Sequence, residues 1–204
     1  MSEGANHPPM ERIGEIIETN SLGFVAESFV LHQPPALGSL LRVAVGERTI
    51  FAVASLGATA GIDPGRRAVR RSTDQIFDEA VYRAHPQLEH TLRTEFQALL
   101  VGFRDGDRPI RQVLPPQPPP LHYSVCACPP AEARLFSQRL PYFRLLLNAS
   151  GELPADQLLA AHIRAIYHAR GDDLAWLEAA AREVAILLRD DYNRLMSVLH
   201  AIEP

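Results

Sequence analysis

The most concentrated charge in the chain is a group of four arginines within six residues: Arg66, Arg67, Arg70 and Arg71. Guanidinium groups form paired hydrogen bonds with phosphate and carboxylate oxygens, so this group could hold a phosphate or an acidic partner surface. The alternative is a solvated loop with local ion pairs, which the formal net charge of −4 favours. We interpret the group as facing a partner. If that partner is nucleic acid, binding should weaken steeply with salt and disappear when all four arginines are replaced by alanine.

The cysteines and histidines carry little indication of a metal site. Cys126 and Cys128 stand two residues apart, so on a strand they share a face. With His122 they would offer three ligands, whereas a structural zinc site needs four. The favoured interpretation is a pair of small buried side chains. The eight histidines are interpreted as surface residues or hydrogen-bonded core residues. The sequence predicts no metal and no cofactor.

Several enzyme classes are excluded by composition. All twenty basic residues are arginine. A Walker-type nucleotide site and a Schiff-base enzyme each require a lysine, so neither is possible, and the pure protein is expected not to hydrolyse ATP. No nucleophile elbow or dinucleotide-binding glycine motif is present. The acidic pairs at 172–173 and 190–191 stand next to predicted helix ends, where capping is their expected role. The sequence predicts no catalytic residue.

The hydropathy pattern indicates neither a signal peptide nor a membrane span. The first nine residues have no basic or apolar region and are expected to form a flexible tail. No apolar run approaches the roughly 18 residues that a membrane helix needs. A cytoplasmic protein without a membrane partner is therefore expected.

Residues 10–128 read mainly as strands with a helical insertion. Runs of β-favouring apolar residues separated by turn signals predict six strands: Ile13–Ile17, Phe24–Leu31, Ser39–Val45, Thr49–Ser55, Glu95–Phe103 and Leu121–Cys128. Residues 57–71 are expected to form an irregular loop. Ser72 and Gln75 match a capping box, which predicts a helix through Ile76 and Val81, and a second short helix to about 93. Six strands with an insertion at about 72–93 can close a small antiparallel barrel.

Residues 129–204 follow a helical period and are predicted to form a helical domain. Pro129 and Pro130 suit the first turn of a helix. A longer helix is predicted from Pro154 to Arg170, with Gly171 as its C-terminal cap. Asp172 or Asp173 would cap the next helix, and a last helix would run through residues 192–202. The predicted fold class is therefore α+β, a six-stranded barrel followed by helices.

A proline-rich stretch precedes the sixth strand. Five of the seventeen prolines fall between Pro115 and Pro120. Such a segment enters neither a helix interior nor a central strand and tends to be extended. We interpret it as a strut between the two halves, with two hydrophobic cores meeting there. Its PxxP spacing also allows it to be a ligand for an aromatic groove.

The order of these pieces resembles the HAS-barrel, the N-terminal domain of HerA-type DNA-translocase ATPases and of F-type ATP synthase subunits. The resemblance lies in the strand Ile13–Ile17, the hairpin around Gly46-Glu47, the strand Leu99–Phe103 and the proline run before Val125. It covers about the first 128 residues and implies a role in packing subunits together. The ATPase core of those proteins is replaced here by lysine-free helices, so no catalytic or nucleotide-binding residue is carried over.

Two functions follow from these patterns. The first is a non-catalytic assembly or adaptor protein, which associates with itself or with an ATPase or nuclease partner in DNA processing. Its barrel should keep apolar surface exposed, because the strands carry more large side chains than one interior can hold: Phe24, Phe29, Phe51, Phe96 and Phe103. The second is an enzyme or nucleic-acid-processing factor with a site between barrel and helices, in which the arginines of 66–71 contact phosphate.

Overall fold

The computed structural model describes residues 11–63, 65 and 67–203. Its first half contains six strands: β1 (Arg12–Thr19), β2 (Gly23–Ser28), β3 (Leu40–Val45), β4 (Arg48–Gly61), β5 (Leu92–Asp105) and β6 (Ser124–Ala127). They form a closed barrel in the order β1-β2-β5-β4-β3-β6, in which every neighbouring pair is antiparallel. The predicted six-stranded antiparallel barrel is confirmed. The expected tail at 1–9 lies outside the described residues.

The second half is helical, as the change of hydrophobic period predicts. After α1 (Glu79–Ala84) in the barrel half, the helices are α2 (Pro130–Phe136), α3 (Phe143–Leu147), α4 (Ala155–Ala169), α5 (Leu174–Leu187) and α6 (Tyr192–Ala201). Gly171 has φ +77° after α4, and the Asp173 carboxylate accepts a hydrogen bond from the Trp176 amide at the start of α5. Asp191 caps α6 in the same way. The α+β class is confirmed, and the described helices include none with the length and hydropathy needed to cross a bilayer.

Two hydrophobic cores share one wall of the barrel. The first fills the barrel with inward-facing side chains such as Phe24, Phe96 and Phe103. The second lies between the helices and the outer face of β3, β4 and β5, where Phe51 and Val101 contact helical residues. The helical half therefore lies against one side of the barrel. The two cores meet across these three strands and not at the proline-rich stretch.

Residues 106–123, which contain the proline-rich stretch, connect β5 to β6, and we call them the strap. These two strands lie on opposite sides of the six-stranded barrel, so the connection must pass along one end of the barrel. It starts by folding back on β5, where Arg111 and Phe103 exchange backbone hydrogen bonds, and it ends where Ile16 donates to the Tyr123 carbonyl. Pro115 and Pro119 are buried in it. The expected strut between two halves is thus a strap within the barrel half, and the helical half begins only after β6.

The insertion between β4 and β5 differs from its prediction. It covers residues 62–91, because 57–61, predicted as loop, extend β4 by pairing with the first residues of β5. The capping-box helix from Ser72 is absent from the described residues. Instead, the Thr73 hydroxyl accepts from the Ile76 amide, and Asp78 has φ +50°, which a continuous helix cannot contain. A short α1 follows, and then a 3-10 helix over Pro86–His90.

The large apolar side chains of the barrel are distributed differently from the prediction. Phe24, Phe96 and Phe103 fill the interior, and Phe51 is covered by the helices. Only Phe29 of the five is exposed, at 53%, and it lies beyond the end of β2, which stops at Ser28. The helices cover the apolar outer face of β3, β4 and β5. The exposed apolar surface of the barrel half lies in its loops.

Candidate binding sites

The insertion contains a cavity with a volume of about 820 Å³. Its lining includes two of the four predicted arginines, Arg67 and Arg71, together with His90 and the carboxylates Asp63 and Asp78. Arg70 is exposed outside this lining, and Arg66 lies outside the described residues. The fold therefore brings part of the predicted cluster to one concave surface.

The insertion has no buried residue of its own among those described from 61 to 93. Ile62, Val69 and Phe77 are 50%, 74% and 59% exposed. It touches the barrel half through an edge-to-face contact of the Tyr82 ring with the ring of His32, a residue of the β2–β3 loop whose amide donates to the Thr94 hydroxyl on β5. We call residues 62–91 with these exposed side chains the insertion surface.

A second group of arginines converges where the sequence gives no local sign of it. Arg104 at the end of β5, Arg108 and Arg111 in the strap, and Arg139 after α2 line a cavity of about 690 Å³. Asp107 is the one carboxylate among the described lining residues. We call this cavity the arginine cleft. The sequence does not reveal this cleft, because its cationic residues span positions 104 to 139 and only the strap and α2 bring them together.

A partly buried carboxylate anchors Arg104 in the wall of the arginine cleft. Glu132 on α2 is 11% exposed and accepts from Arg42 at 2.8 Å and from Arg104 at 3.2 Å. The Cys128 sulfur lies 3.7 Å from the same carboxylate. Burial, reinforced by the charge of Glu132, raises the pKa of the Cys128 thiol well above its ordinary value. This cysteine therefore stays protonated, and it is partly buried against the second core.

The two cysteines and His122 form no ligand set. Cys126 lines a shallow cavity with His122, while Cys128 packs against the second core. The His122 imidazole instead contacts the Glu15 carboxylate at 2.7 Å. Within the described residues no three histidine, cysteine or acidic side chains are placed to hold a metal ion.

His162 is a fully buried histidine on α4 with both ring nitrogens in hydrogen bonds. Its Nδ1 lies 2.7 Å from the Gly38 carbonyl oxygen, so Nδ1 carries the proton and donates. Its Nε2 lies 2.9 Å from the Tyr142 hydroxyl, which must then be the donor. Burial lowers the pKa of His162 to about 4. The imidazole is neutral near pH 7 and joins the helices to the loop before β3, which is a structural role.

The junction between barrel and helices also holds a cavity, of about 370 Å³. Its described lining contains apolar and amide side chains, among them Leu22, Leu99, Leu145 and Asn148, and no acidic or basic group. The arginines of 67–71 lie elsewhere, in the insertion. The phosphate-contacting site expected between barrel and helices is therefore not assembled from those residues. No family model matches the chain, and no curated protein is similar to it.

Proposed function

We propose that the protein is a non-catalytic assembly or adaptor module, and that the insertion surface contacts a protein partner. The observation that carries this proposal is a stretch of some thirty residues that exposes Ile62, Val69 and Phe77 and buries none of its described residues. Large apolar side chains in such a segment gain little from the folded monomer, and a partner can bury them. The HAS-barrel resemblance supports the same role, because that barrel packs subunits together.

The charge pattern of the insertion surface favours a second copy of this chain as the partner. Its first part is basic, with Arg67, Arg70 and Arg71, and its second part is acidic, with Asp74, Asp78 and Glu79. Among the described residues, none of these six charged groups lies within 4.0 Å of an opposite charge. In a two-fold pair, each basic part can face the acidic part of the other copy. Association with an ATPase or nuclease in DNA processing would use the same surface.

The wild-type protein is expected to dimerise, and the dimer should dissociate as salt is raised, because exposed ion pairs are screened. Changing Arg67, Arg70 and Arg71 to glutamate should give a monomer, since both parts of the insertion then carry negative charge. Changing Asp74, Asp78 and Glu79 to arginine should also give a monomer, with two positive parts. An equimolar mixture of the two variants should form a 1:1 dimer. Light scattering coupled to size-exclusion chromatography measures all four species.

The control variant changes Arg108, Arg111 and Arg139 to glutamate, which alters the net charge equally at a different surface. It should remain a dimer. A wild-type protein that is monomeric at every concentration and salt tested would overturn self-association. So would a dimer that survives in both insertion variants, because the interface would then lie elsewhere.

A further inference from the structure

The arginine cleft carries an inference that does not depend on the insertion surface. We propose that this cleft is a binding site for a small organic phosphate, in which the arginines hold the phosphate groups and an adjoining apolar wall contacts the organic part. The chemistry is that of guanidinium forks with phosphate oxygens and needs no lysine. It is therefore distinct from the Walker-type site that the composition excludes.

The positive charges of the arginine cleft are not balanced by nearby carboxylates in the part of the chain that the structure describes. Arg104 is paired with Glu132, but no described carboxylate lies within 4.0 Å of the guanidinium groups of Arg108, Arg111 and Arg139. The Nε atom of Arg104 is also buried without a hydrogen-bond partner among the described residues. A chain with a net charge of −4 thus concentrates positive charge in one cavity. An anion with several oxygens would balance it.

Hydrogen bonds already hold the backbone of these arginines in place without a ligand. Arg111 exchanges two backbone hydrogen bonds of 2.9 Å with Phe103 on β5. The side-chain amide of Gln112 donates to the backbone carbonyl oxygens of Phe136 at 2.7 Å and of Arg139 at 2.8 Å. These two hydrogen bonds tie the strap to the end of α2. Gly102 makes the close packing possible, since a Cβ there would lie 2.7 Å from the Arg111 carbonyl oxygen. A fixed backbone lowers the entropic cost of collecting charged side chains around a ligand.

The arginine cleft has the volume of a small-ligand site, and one of its walls is apolar. A volume of about 690 Å³ suits a small ligand, because such sites usually enclose roughly 300–1,000 Å³. The same lining includes Ile110, Val113 and Leu135, and the last two are 55% and 45% exposed. Inorganic phosphate alone would leave this wall uncovered. A ligand with a planar or aliphatic part beside its phosphates would cover it.

Isothermal titration calorimetry on the full chain tests the proposal with three probes: adenosine diphosphate, inorganic pyrophosphate and adenosine. The diphosphate and pyrophosphate are expected to bind at one site per chain, and adenosine alone should show no measurable binding. The diphosphate should bind at least about tenfold more tightly than pyrophosphate, because it also covers the apolar wall. Both affinities should fall as salt is raised.

Changing Arg108, Arg111 and Arg139 to alanine should weaken both phosphate probes by roughly 100-fold or more, since charge-assisted hydrogen bonds are lost. The charge-matched control changes Arg12, Arg182 and Arg189 to alanine, three exposed arginines outside both the cleft and the insertion surface, and should bind as the wild type does. If the first variant lacks a cooperative thermal transition, the milder R108A/R139A variant replaces it and should still lose about tenfold.

Three results would overturn the proposal. The wild-type protein could bind neither phosphate probe at low salt, both triple variants could lose affinity equally, or adenosine could bind as well as the diphosphate. None of these results bears on dimerisation through the insertion surface, which light scattering reads separately. The two proposals can therefore fail independently.

Discussion

Replacing Gly38 by alanine is expected to lower the free energy of unfolding by about 3–5 kcal/mol, from backbone strain, overpacking and a damaged buried hydrogen bond together. Gly38 has φ +82°, a conformation that a side chain disfavours. A Cβ at this position would lie 2.4 Å from the His162 amide nitrogen and 2.5 Å from the Ala161 carbonyl carbon. Both atoms belong to the backbone of α4, so relief requires the helix to move away from the barrel.

The matched control is Gly46→Ala. Gly46 also has a positive φ, +59°, but a Cβ there meets no atom within 4 Å. This variant should cost only the conformational term, about 1–2 kcal/mol. Urea unfolding of both variants separates the two contributions, and limited proteolysis should show faster cleavage between the barrel and the helices in G38A. Equal stability of G38A and G46A would contradict the close packing of α4 on the loop before β3.

Much of this architecture can be predicted from the sequence because local signals and tertiary structure agree. The strands of the barrel are apolar runs bounded by turn residues, and Gly171 and Asp173 cap helices where they are predicted to. The prediction is wrong where pairing overrides propensity. Residues 57–61 are rich in glycine and alanine, yet they extend β4 because β5 supplies their hydrogen bonds. Conversely, Ser72 and Gln75 match a capping box, but Asp78 with positive φ interrupts the helix.

The two candidate sites also differ in how far the sequence reveals them. The arginines of the insertion surface stand close together in the sequence, so their spacing alone identifies them. The arginine cleft draws Arg104, Arg108 and Arg111 from one segment and Arg139 from another, and only the folding back of the strap and the Gln112 bridge make them neighbours. A charge pattern along the chain cannot reveal such a site. Nor could it show that the buried hydrogen bonds of His162 would join the two halves.

The pH dependence of stability should reveal His162, and the sign follows from its environment. The imidazole is neutral in the folded state because burial lowers its pKa from 6.5 to about 4. Between pH 6.5 and about 4, the imidazole of His162 is therefore protonated in the unfolded chain and neutral in the folded chain. The stabilisation is complete above about pH 6.5 and is lost as the pH falls towards 4. The carboxylates of Asp105 and Asp173, whose pKa values are lowered by arginine and amide partners, lose their contribution only at lower pH, below 3.8.

The wild-type protein is expected to lose about 3 kcal/mol of unfolding free energy between pH 6.5 and 4, since one pKa unit corresponds to about 1.4 kcal/mol. The His162→Gln variant provides the comparison, because glutamine can donate and accept hydrogen bonds but does not titrate. It should be less stable at pH 7, where the imidazole packs better, and its stability should change less over this interval. Urea unfolding at a series of pH values measures both curves. Parallel curves for the two proteins would mean that His162 is accessible to protons in the folded state, and the buried junction between helices and barrel would have to be abandoned.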